Sequence, residues 1–241
     1  RFFYSIPSMP NLRRNAMLYL LPNLLDESLD HKPFLPPSVA EIIPQLDGFI
    51  VETEKPARKF LMRFIPNIQE VPLRILNEHT TPEEIDLLAA PLQKGEKWGL
   101  LSDAGLPVLA DPGARLIRRL QGLKIPVHTF PGPSSLVYAL QLSGLSGQSF
   151  TFHGYLPRKP QDLERMLSKL PQKHTHVCIE APYRTDKLLK TLLAYLPHDA
   201  LLSVSWNLTL PTQGVVTQKA SAWKKNLPTL GKVPAVFVWI S

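Results

Sequence analysis

The sequence predicts an α/β fold made of two domains. Strand-like apolar runs alternate with stretches whose apolar residues recur every three or four positions, which is typical of a largely parallel sheet covered by helices. The alternation changes at Pro131-Gly132-Pro133, after which longer strands follow with fewer helices between them. We therefore place one α/β domain at residues 17–130 and a second at residues 131–241.

The elements of the first domain begin at Met17, which opens the first apolar run, so residues 1–16 are predicted to be an N-terminal extension. The predicted strands of the whole chain are residues 17–21, 48–51, 71–76, 98–102, 127–130, 150–155, 176–180, 202–208 and 233–240. The predicted helices are residues 38–46, 56–64, 81–92, 113–123, 134–143, 162–170 and 185–196. Thr81-Pro82-Glu83-Glu84 is the strongest helix start, because a threonine cap, an early proline and two acids all suit the exposed amides.

The composition is that of a globular protein. The 241 residues are 44% hydrophobic and 20% charged, which excludes a disordered chain, a collagen and a disulfide scaffold. The single cysteine, Cys178, lies in an apolar run and is predicted to be a buried thiol in a reducing compartment. Because no apolar run has the length of a membrane span and no metal-ligand motif occurs, we expect a cytoplasmic protein with no membrane segment and no metal.

The charge balance favours a polyanionic partner. Lys and Arg number 27 against 20 Asp and Glu, which gives a net charge of +7. Such a balance is expected of a protein that binds RNA, although a basic surface that only keeps the protein soluble is the plain alternative.

The segment from Ser102 to Gly113 is the most informative part of the chain. An apolar strand leads into small residues and then into a helix, and ligands of open α/β sheets bind beyond the carboxyl ends of the strands. Ala104 and Gly105 would let a ligand approach the backbone, and Asp103 would accept hydrogen bonds from it. In the simpler interpretation this is a strand-to-helix turn, with Asp111 as the helix cap, and for Asp111 we prefer that interpretation.

Two further strand exits have polar residues. After Phe130, Ser134 or Ser135 either caps a helix or contributes to a shared pocket with the first loop. Near residue 180, Glu180 and Arg184 form either a structural ion pair or part of a site, and the sequence does not separate the two. The motifs of phosphate loops, dinucleotide-binding folds, zinc peptidases and serine hydrolases are absent from the sequence.

Taken in order, these segments resemble one family. Ser102-Asp103-Ala104-Gly105-Leu106-Pro107 with Asp111-Pro112-Gly113, then Pro131 to Ser134, Phe152 to Pro157 and Glu180 to Arg184, are similar to the RsmI-type ribosomal RNA methyltransferases of the tetrapyrrole methylase superfamily. The resemblance extends from Met17 to Ile240. It implies two α/β domains of the tetrapyrrole methylase type with S-adenosylmethionine in the cleft between them, a homodimer, and methyl transfer to a ribose 2′-hydroxyl of small-subunit ribosomal RNA.

The resemblance also implies site residues. Those implied to bind the cofactor are Pro22, Ser102, Asp103, Ala104, Gly105, Pro107, Ser134, Ser135, Ala181, Leu208 and Thr209. Methyl transfer needs alignment of the acceptor oxygen and removal of its proton, and we assign Glu52 and Asn207 to the catalytic positions. Glu78, His79 and Glu180 are further candidates for the proton acceptor.

The sequence departs from the family pattern in three places. Glu52-Thr53-Glu54-Lys55 lacks an aspartate, Asn207-Leu208-Thr209-Leu210 lacks two charged residues, and Pro22 to Asp26 lacks a glycine. Two alternatives therefore stay open beside RNA methylation, namely a methyltransferase for a small tetrapyrrole-like molecule and a non-catalytic RNA-binding relative.

Overall fold

The computed structural model describes residues 16–241. Apart from its last residue, the predicted extension at residues 1–16 lies outside the described residues. The chain forms two compact units, of which the first ends at Pro133 and the second runs from Ser134 to Ser241.

The first unit is built on a five-stranded parallel sheet with the strand order β3-β2-β4-β1-β5. Its strands are β1 (Met17–Leu21), β2 (Gly48–Val51), β3 (Leu73–Ile75), β4 (Lys97–Leu101) and β5 (Val127–Thr129). Its helices are α1 (Pro37–Ile42), α2 (Glu54–Leu61), α3 (Pro82–Gln93) and α4 (Ala114–Gly122). Helices α1 and α2 pack on one face of the sheet, and α3 and α4 pack on the other.

Burial on both faces explains the apolar sequence of these strands. All four residues of β2 are buried, as are the last four of β4, so neither strand alternates polar with apolar positions. Helix α3 begins as predicted, because the Thr81 hydroxyl accepts a hydrogen bond from the Glu84 amide and the Glu84 carboxylate accepts one from the Thr81 amide. The start of this helix is therefore determined locally.

The second unit has a mixed five-stranded sheet with the strand order β6-β7-β10-β8-β9. Its strands are β6 (Phe150–Tyr155), β7 (Thr175–Glu180), β8 (Leu201–Trp206), β9 (Gly214–Lys219) and β10 (Ala235–Ile240). Its helices are α5 (Ser135–Ser143), α6 (Pro160–Leu167), α7 (Thr185–Tyr195) and α8 (Ala220–Lys225). Because β10 is antiparallel to both β7 and β8, the strands β6, β7 and β8 all run in the same direction and end at the same edge.

The predicted α/β class is confirmed, and each predicted strand is present within two residues at either end. Of the strands and α-helices in the described residues, one strand and one helix are missing from the prediction, the edge strand β9 and the short helix α8. Strand β9 is only partly buried and mixes polar with apolar residues, so its sequence resembles a loop. The strand predicted to reach Leu208 ends at Trp206, because the backbone turns left-handed at Asn207.

The core of the second unit contains the predicted buried thiol. Cys178 lies fully buried in the centre of β7, opposite Phe237 of β10. Burial, together with the nearby charge of Glu180, raises the pKa of the thiol well above its ordinary value. Cys178 is therefore a packing residue, as the sequence predicts, because a thiol that stays protonated is a poor nucleophile.

Two histidines in this sheet form a hydrogen-bonded pair. The side chains of His153 on β6 and His176 on β7 meet with 3.0 Å between Nε2 and Nδ1, and both rings lie against the indole of Trp239. The other nitrogen of His176 lies 3.2 Å from the carbonyl oxygen of Pro171, which only accepts hydrogen bonds. Nε2 of His176 therefore carries a proton, and when the ring is neutral its Nδ1 accepts from His153.

We expect this pair to make the fold sensitive to acid. Burial lowers the pKa of His176, and burial with the neighbouring histidines lowers that of His153 from 6.5 to about 4, so the folded state binds these protons more weakly than the unfolded state. Stability should thus fall as the pH is lowered from 6.5 towards 4. Chemical denaturation at a series of pH values would show that His153→Gln loses less folding stability over this pH range than wild type does. The exposed control His198→Gln should follow the wild-type profile, and equal profiles for all three proteins would contradict the assignment.

Candidate functional site

The order of the strands marks one position on the first sheet as a ligand site. Neighbouring strands β1 and β4 lead to helices on opposite faces, since β1 continues into α1 and β4 into α4. Their connections therefore diverge and leave a crevice beyond the carboxyl ends of the two strands, which is where open α/β sheets bind their ligands. Pro22 follows β1 and Ser102 follows β4, so two predicted cofactor-binding residues lie at this crevice.

The buried side chain of Asn23 joins the two loops of the crevice. Its amide nitrogen donates to the carbonyl oxygens of Ser102 and Asp103, both at 3.0 Å, and its own oxygen accepts from the Leu24 amide at 2.7 Å. Two backbone hydrogen bonds add to this contact, from the Asn23 amide to the Gly105 carbonyl and from the Gly105 amide to the Leu24 carbonyl. Asn23 was not selected from the sequence, because its position two residues after β1 does not by itself indicate its distant partners.

Two glycines, Gly105 after β4 and Gly132 after β5, allow the loops at the strand ends to pack closely against each other. Gly105 has a φ of +70°, a conformation that side chains rarely adopt, and a Cβ there would lie 3.4 Å from both Leu25 and the carbonyl oxygen of Pro133. Gly132, after β5, lies so close to Pro22 that a Cβ would be only 2.2 Å from the proline Cβ. The loops after β1, β4 and β5 thus pack against each other at one edge, with the predicted residues Ala104 and Pro107 in the middle loop.

The segment after this loop is strained. Val108 and Ala110 have positive φ values of 75° and 67°, which are unusual for residues with side chains and concentrate at functional sites. The prediction that Asp111 caps the following helix is wrong. Helix α4 is preceded by Gly113, with a φ of 147°, and it has no side-chain cap. Glycine is needed at position 113 because side chains rarely allow this backbone conformation. Since Gly113 and not Asp111 precedes the helix, the Asp111 carboxylate is available for other contacts.

Asp111 instead belongs to a group of acids at the exits of β2, β3 and β4. Burial and the charges of Glu52 and Asp103 raise the pKa of Asp111 to about 6, and the nearby Ser102 hydroxyl opposes the shift. Burial and the charges of Asp103 and Glu78 likewise raise the pKa of Glu52, against a hydrogen bond from the Asp103 amide. The largest charge effects on both carboxyls come from other acids, and none of these acids forms an ion pair among residues 16–241, so the group would attract a cationic ligand.

A pocket of about 290 Å³ opens beside Asp103, between the loop after β1 and helix α2. It is lined by Asn23, Leu24, Leu25, Asp26, Glu27, Pro56, Lys59, Phe60, Arg63 and Asp103. Lys59 pairs with Glu27 at 2.9 Å, and the Arg63 guanidinium donates to the carbonyl oxygens of Glu27 and Leu29. These bonds fix the wall opposite Asp103, so the pocket is an ordered space next to the acid group.

The remaining predicted residues lie in the second unit. Asn207, Leu208 and Thr209 directly follow β8, and Asn207 and Thr209 have positive φ values of 50° and 74°. The Asn207 side chain donates to the Thr212 hydroxyl at 3.1 Å, and its backbone amide donates to the Pro234 carbonyl. This turn is therefore a second strained strand exit.

Ala181 follows β7, at the same edge of the sheet as the turn after β8. Its amide donates to the Glu180 carboxylate at 2.8 Å, and the other oxygen of that buried carboxylate lies 3.2 Å from the Arg184 guanidinium. Glu180 and Arg184 thus form the ion pair that the sequence left open. Ser134 caps α5, because its hydroxyl accepts from the Val137 amide, and Ser135 is the first residue of that helix.

Residues 16–241 contain neither a cluster of metal-binding side chains nor a membrane-spanning helix. No group of three or more histidine, cysteine, aspartate or glutamate side chains there is placed to hold a metal ion. None of the helices in that range combines the length and hydrophobicity needed to cross a bilayer.

Comparison of the sequence with known families and proteins gives a consistent result. The profile of the family described as Tetrapyrrole (Corrin/Porphyrin) Methylases matches residues 35–222. A protein of Synechocystis named ribosomal RNA small subunit methyltransferase I is 32% identical over 174 residues, which are 72% of this chain and 61% of that protein. A Thermotoga maritima protein of the same name is 31% identical over 169 residues, which are 68% of this chain and 75% of that protein. The chain spans only part of the length of such relatives, 61% of the Synechocystis protein and 57% of another protein of the same name.

Solved structures resemble this one in fold. Diphthine synthase superimposes with a TM-score of 0.61 at 14% identity, covering 93% of this chain and 89% of that chain. The uroporphyrin-III C-methyltransferase of Thermus thermophilus superimposes with a TM-score of 0.53 at 18% identity, covering 93% and 94%. At such low identity these similarities establish the fold alone.

The raised pKa of Asp111 predicts that its charge costs stability. The folded state holds this proton more tightly than the unfolded state, whose pKa is near 3.8, so the cost is complete above pH 6 and fades as the pH falls towards 4. We expect Asp111→Asn to be more stable than wild type by about 1 to 2 kcal/mol at pH 8, because one pKa unit corresponds to about 1.4 kcal/mol and partial exposure reduces the effect. Urea denaturation at pH 8 and pH 4.5 would measure this. The exposed control Asp199→Asn should show no such gain, and a variant that is less stable at pH 8 would refute the prediction.

Proposed function

Because this chain belongs to the tetrapyrrole (corrin/porphyrin) methylase family, we propose that it transfers a methyl group from S-adenosylmethionine to a ribose 2′-hydroxyl of small-subunit ribosomal RNA. The observation that carries the proposal is the crevice between β1 and β4, where the strand order predicts a ligand and where the uncompensated acids meet the strained loop. The relatives' names supply the substrate class, since they are named as ribosomal RNA methyltransferases.

The residues at the crevice fit S-adenosylmethionine. When bound, this cofactor supplies a methyl group on a positively charged sulfur, and it also carries an ammonium group. The acids Glu52, Asp103 and Asp111 offer negative charge and have no ion-pair partner among residues 16–241, while Gly105 leaves the backbone open to close approach. Pro22, Ser102, Ala104 and Pro107 complete the binding loops of the first unit.

Further binding residues in this proposal lie in the second unit. Ala181, Leu208 and Thr209 lie at one edge of its sheet, while Ser134 and Ser135 begin its first helix. We therefore include in the proposal a cofactor cleft between the domains at residues 17–130 and 131–241, a homodimer and a cytoplasmic location. Family membership supports each of these.

Glu52 is the proposed proton acceptor. Removal of the 2′-hydroxyl proton requires a base, and a carboxylate becomes a stronger base as its pKa rises. Burial and neighbouring acids raise the pKa of Glu52, against a smaller lowering by the Asp103 amide. Asn207 cannot accept a proton at neutral pH, so its role in this proposal is to orient the ribose through its side-chain amide.

The cofactor part of the proposal predicts a loss of binding in Gly105→Val. A valine there would require a strained backbone and would place its side chain against Leu25 and the Pro133 carbonyl, in the space proposed for the ligand. Calorimetric titration with S-adenosylhomocysteine should detect binding by wild type and none by Gly105→Val. Gly122→Val is the control, because a Cβ at Gly122 meets nothing within 4 Å. If folded wild type does not bind the ligand, the proposed cofactor is wrong.

The chemical part predicts a slow Glu52→Gln variant. Loss of a general base typically costs about 10²- to 10⁴-fold in rate, so incorporation of labelled methyl into unmodified small-subunit RNA should fall by that factor, while S-adenosylhomocysteine still binds. The exposed Glu70→Gln serves as the control.

Asn207→Glu tests the charged residue that the family pattern has and this chain lacks. Activity seen only in that variant would indicate that the natural protein is a relative that binds RNA without methylating it. Methylation of a tetrapyrrole but not of RNA would point to the small-molecule alternative.

A further inference from the structure

Two exposed tyrosines lie at the carboxyl edge of the second sheet. Tyr155 is the last residue of β6 and is 60% exposed, and Tyr183 follows β7 by three residues and is 66% exposed. Strands β6 and β7 are parallel neighbours, with Tyr155 opposite Ile179 near the end of β7. Both aromatic side chains therefore lie at adjacent strand exits, where most of their surface is open to a partner.

Basic residues accompany both tyrosines. Arg158 and Lys159 follow Tyr155, and Lys187 lies one helical turn after Tyr183; all three are exposed, and none has an ion-pair partner among residues 16–241. We call Tyr155, Arg158, Lys159, Tyr183 and Lys187 together the tyrosine edge.

Two acids close in sequence to Tyr183 are already engaged. Glu180 is buried and paired with Arg184, and the carboxylate of Asp186 accepts hydrogen bonds from the amides of Leu230 and Gly231. Neither acid is therefore free to pair with the exposed cations. The edge presents positive charge around aromatic rings, which is the chemistry of a surface that stacks bases and follows a phosphate backbone.

The tyrosine edge continues into the turn proposed to orient the ribose. Strands β7 and β8 end at the same edge and are separated by β10 alone, so their exits lie about 10 Å apart at a spacing of about 4.8 Å per strand. The link is direct, because the Asn207 amide bonds to the Pro234 carbonyl and the Thr185 hydroxyl bonds to the Val233 carbonyl. A nucleic acid strand held by the tyrosines would therefore extend towards Asn207.

We propose that the tyrosine edge binds the single-stranded RNA that flanks the acceptor nucleotide, with bases stacked on Tyr155 and Tyr183 and phosphates beside Arg158, Lys159 and Lys187. The choice of RNA rests on the proposed function. Single-stranded RNA is favoured over a duplex because stacking on a side chain needs a base that is not already stacked. A protein partner is disfavoured because the cores of protein interfaces are poor in lysine, and here two of the three exposed cations are lysines.

The test compares tyrosine variants by fluorescence anisotropy with a labelled single-stranded RNA of small-subunit sequence, in the presence of S-adenosylhomocysteine. Tyr155→Leu and Tyr183→Leu should each weaken RNA binding by about five- to a hundredfold, because one stacked base contributes that much to the affinity. Tyr183→Phe keeps the ring and should bind RNA like wild type. Tyr195→Leu is the matched control, since Tyr195 is 37% exposed at the last residue of α7, far from the edge.

A second measurement separates charge from stacking. Lys159→Ala should reduce the slope of log affinity against log salt by about one, while Tyr183→Leu should leave that slope unchanged. RNA affinities equal to wild type in both leucine variants would overturn the proposal. It would also be overturned if those variants bound RNA normally as smaller particles in sedimentation, because the tyrosines would then contact a second protein chain.

The proposed function and the tyrosine edge fail separately. If wild type does not bind S-adenosylhomocysteine but the leucine variants lose RNA affinity, the methyltransferase is refuted and the RNA surface is supported. If the cofactor binds and RNA is methylated while the leucine variants bind RNA unchanged, the RNA surface is refuted and the enzyme stands.

Discussion

The side-chain amide of Asn23 holds together the two loops on which the candidate site of the first unit depends. Strands β1 and β4 are neighbours whose connections diverge to opposite faces of the sheet, so nothing in the sheet itself fixes the loops that follow them. The buried Asn23 side chain supplies that connection with two hydrogen bonds to the loop after β4, and it accepts a third from Leu24 in its own loop. Because every polar atom of the amide group has a partner, its burial is stabilising and the loops keep one arrangement.

The acids at this edge follow from the same geometry. Parallel strands end together, so a carboxylate after β2 and others after β4 must share a small space even though they are far apart in sequence. Partial burial disfavours each charged carboxylate, and repulsion between the acids adds to this, so the pKa values of Glu52 and Asp111 rise. The fold thus maintains a concentration of negative charge that reduces its own stability. Such an arrangement is typical of binding sites, where a ligand offsets the cost.

The sequence predicts the strands of both sheets and the loops at their exits, because these depend on local apolar periodicity and on small residues. It does not predict what depends on distant neighbours. Asp111 precedes a proline and a glycine and so resembles a helix cap, and only the positive φ of Gly113 and the repulsion from Glu52 show otherwise. The role of Asn23 could not be predicted from the sequence either, since its partners lie 79 and 80 residues away. Strand β9 is missed because an edge strand carries little apolar signal.

The two units differ in the charge they present at their strand exits. The first offers acids that form no ion pair among residues 16–241, whereas the tyrosine edge of the second offers exposed cations that form none there either. A cationic cofactor and a polyanionic RNA cannot both be attracted by one surface, so a protein that brings them together needs two surfaces of opposite sign. The net charge of +7 does not show that acids and cations lie at different strand exits, because it is a sum over the whole chain. Separation of charge between two sheets therefore gives each proposed ligand a surface of its own, and it explains how a basic protein retains an acidic site.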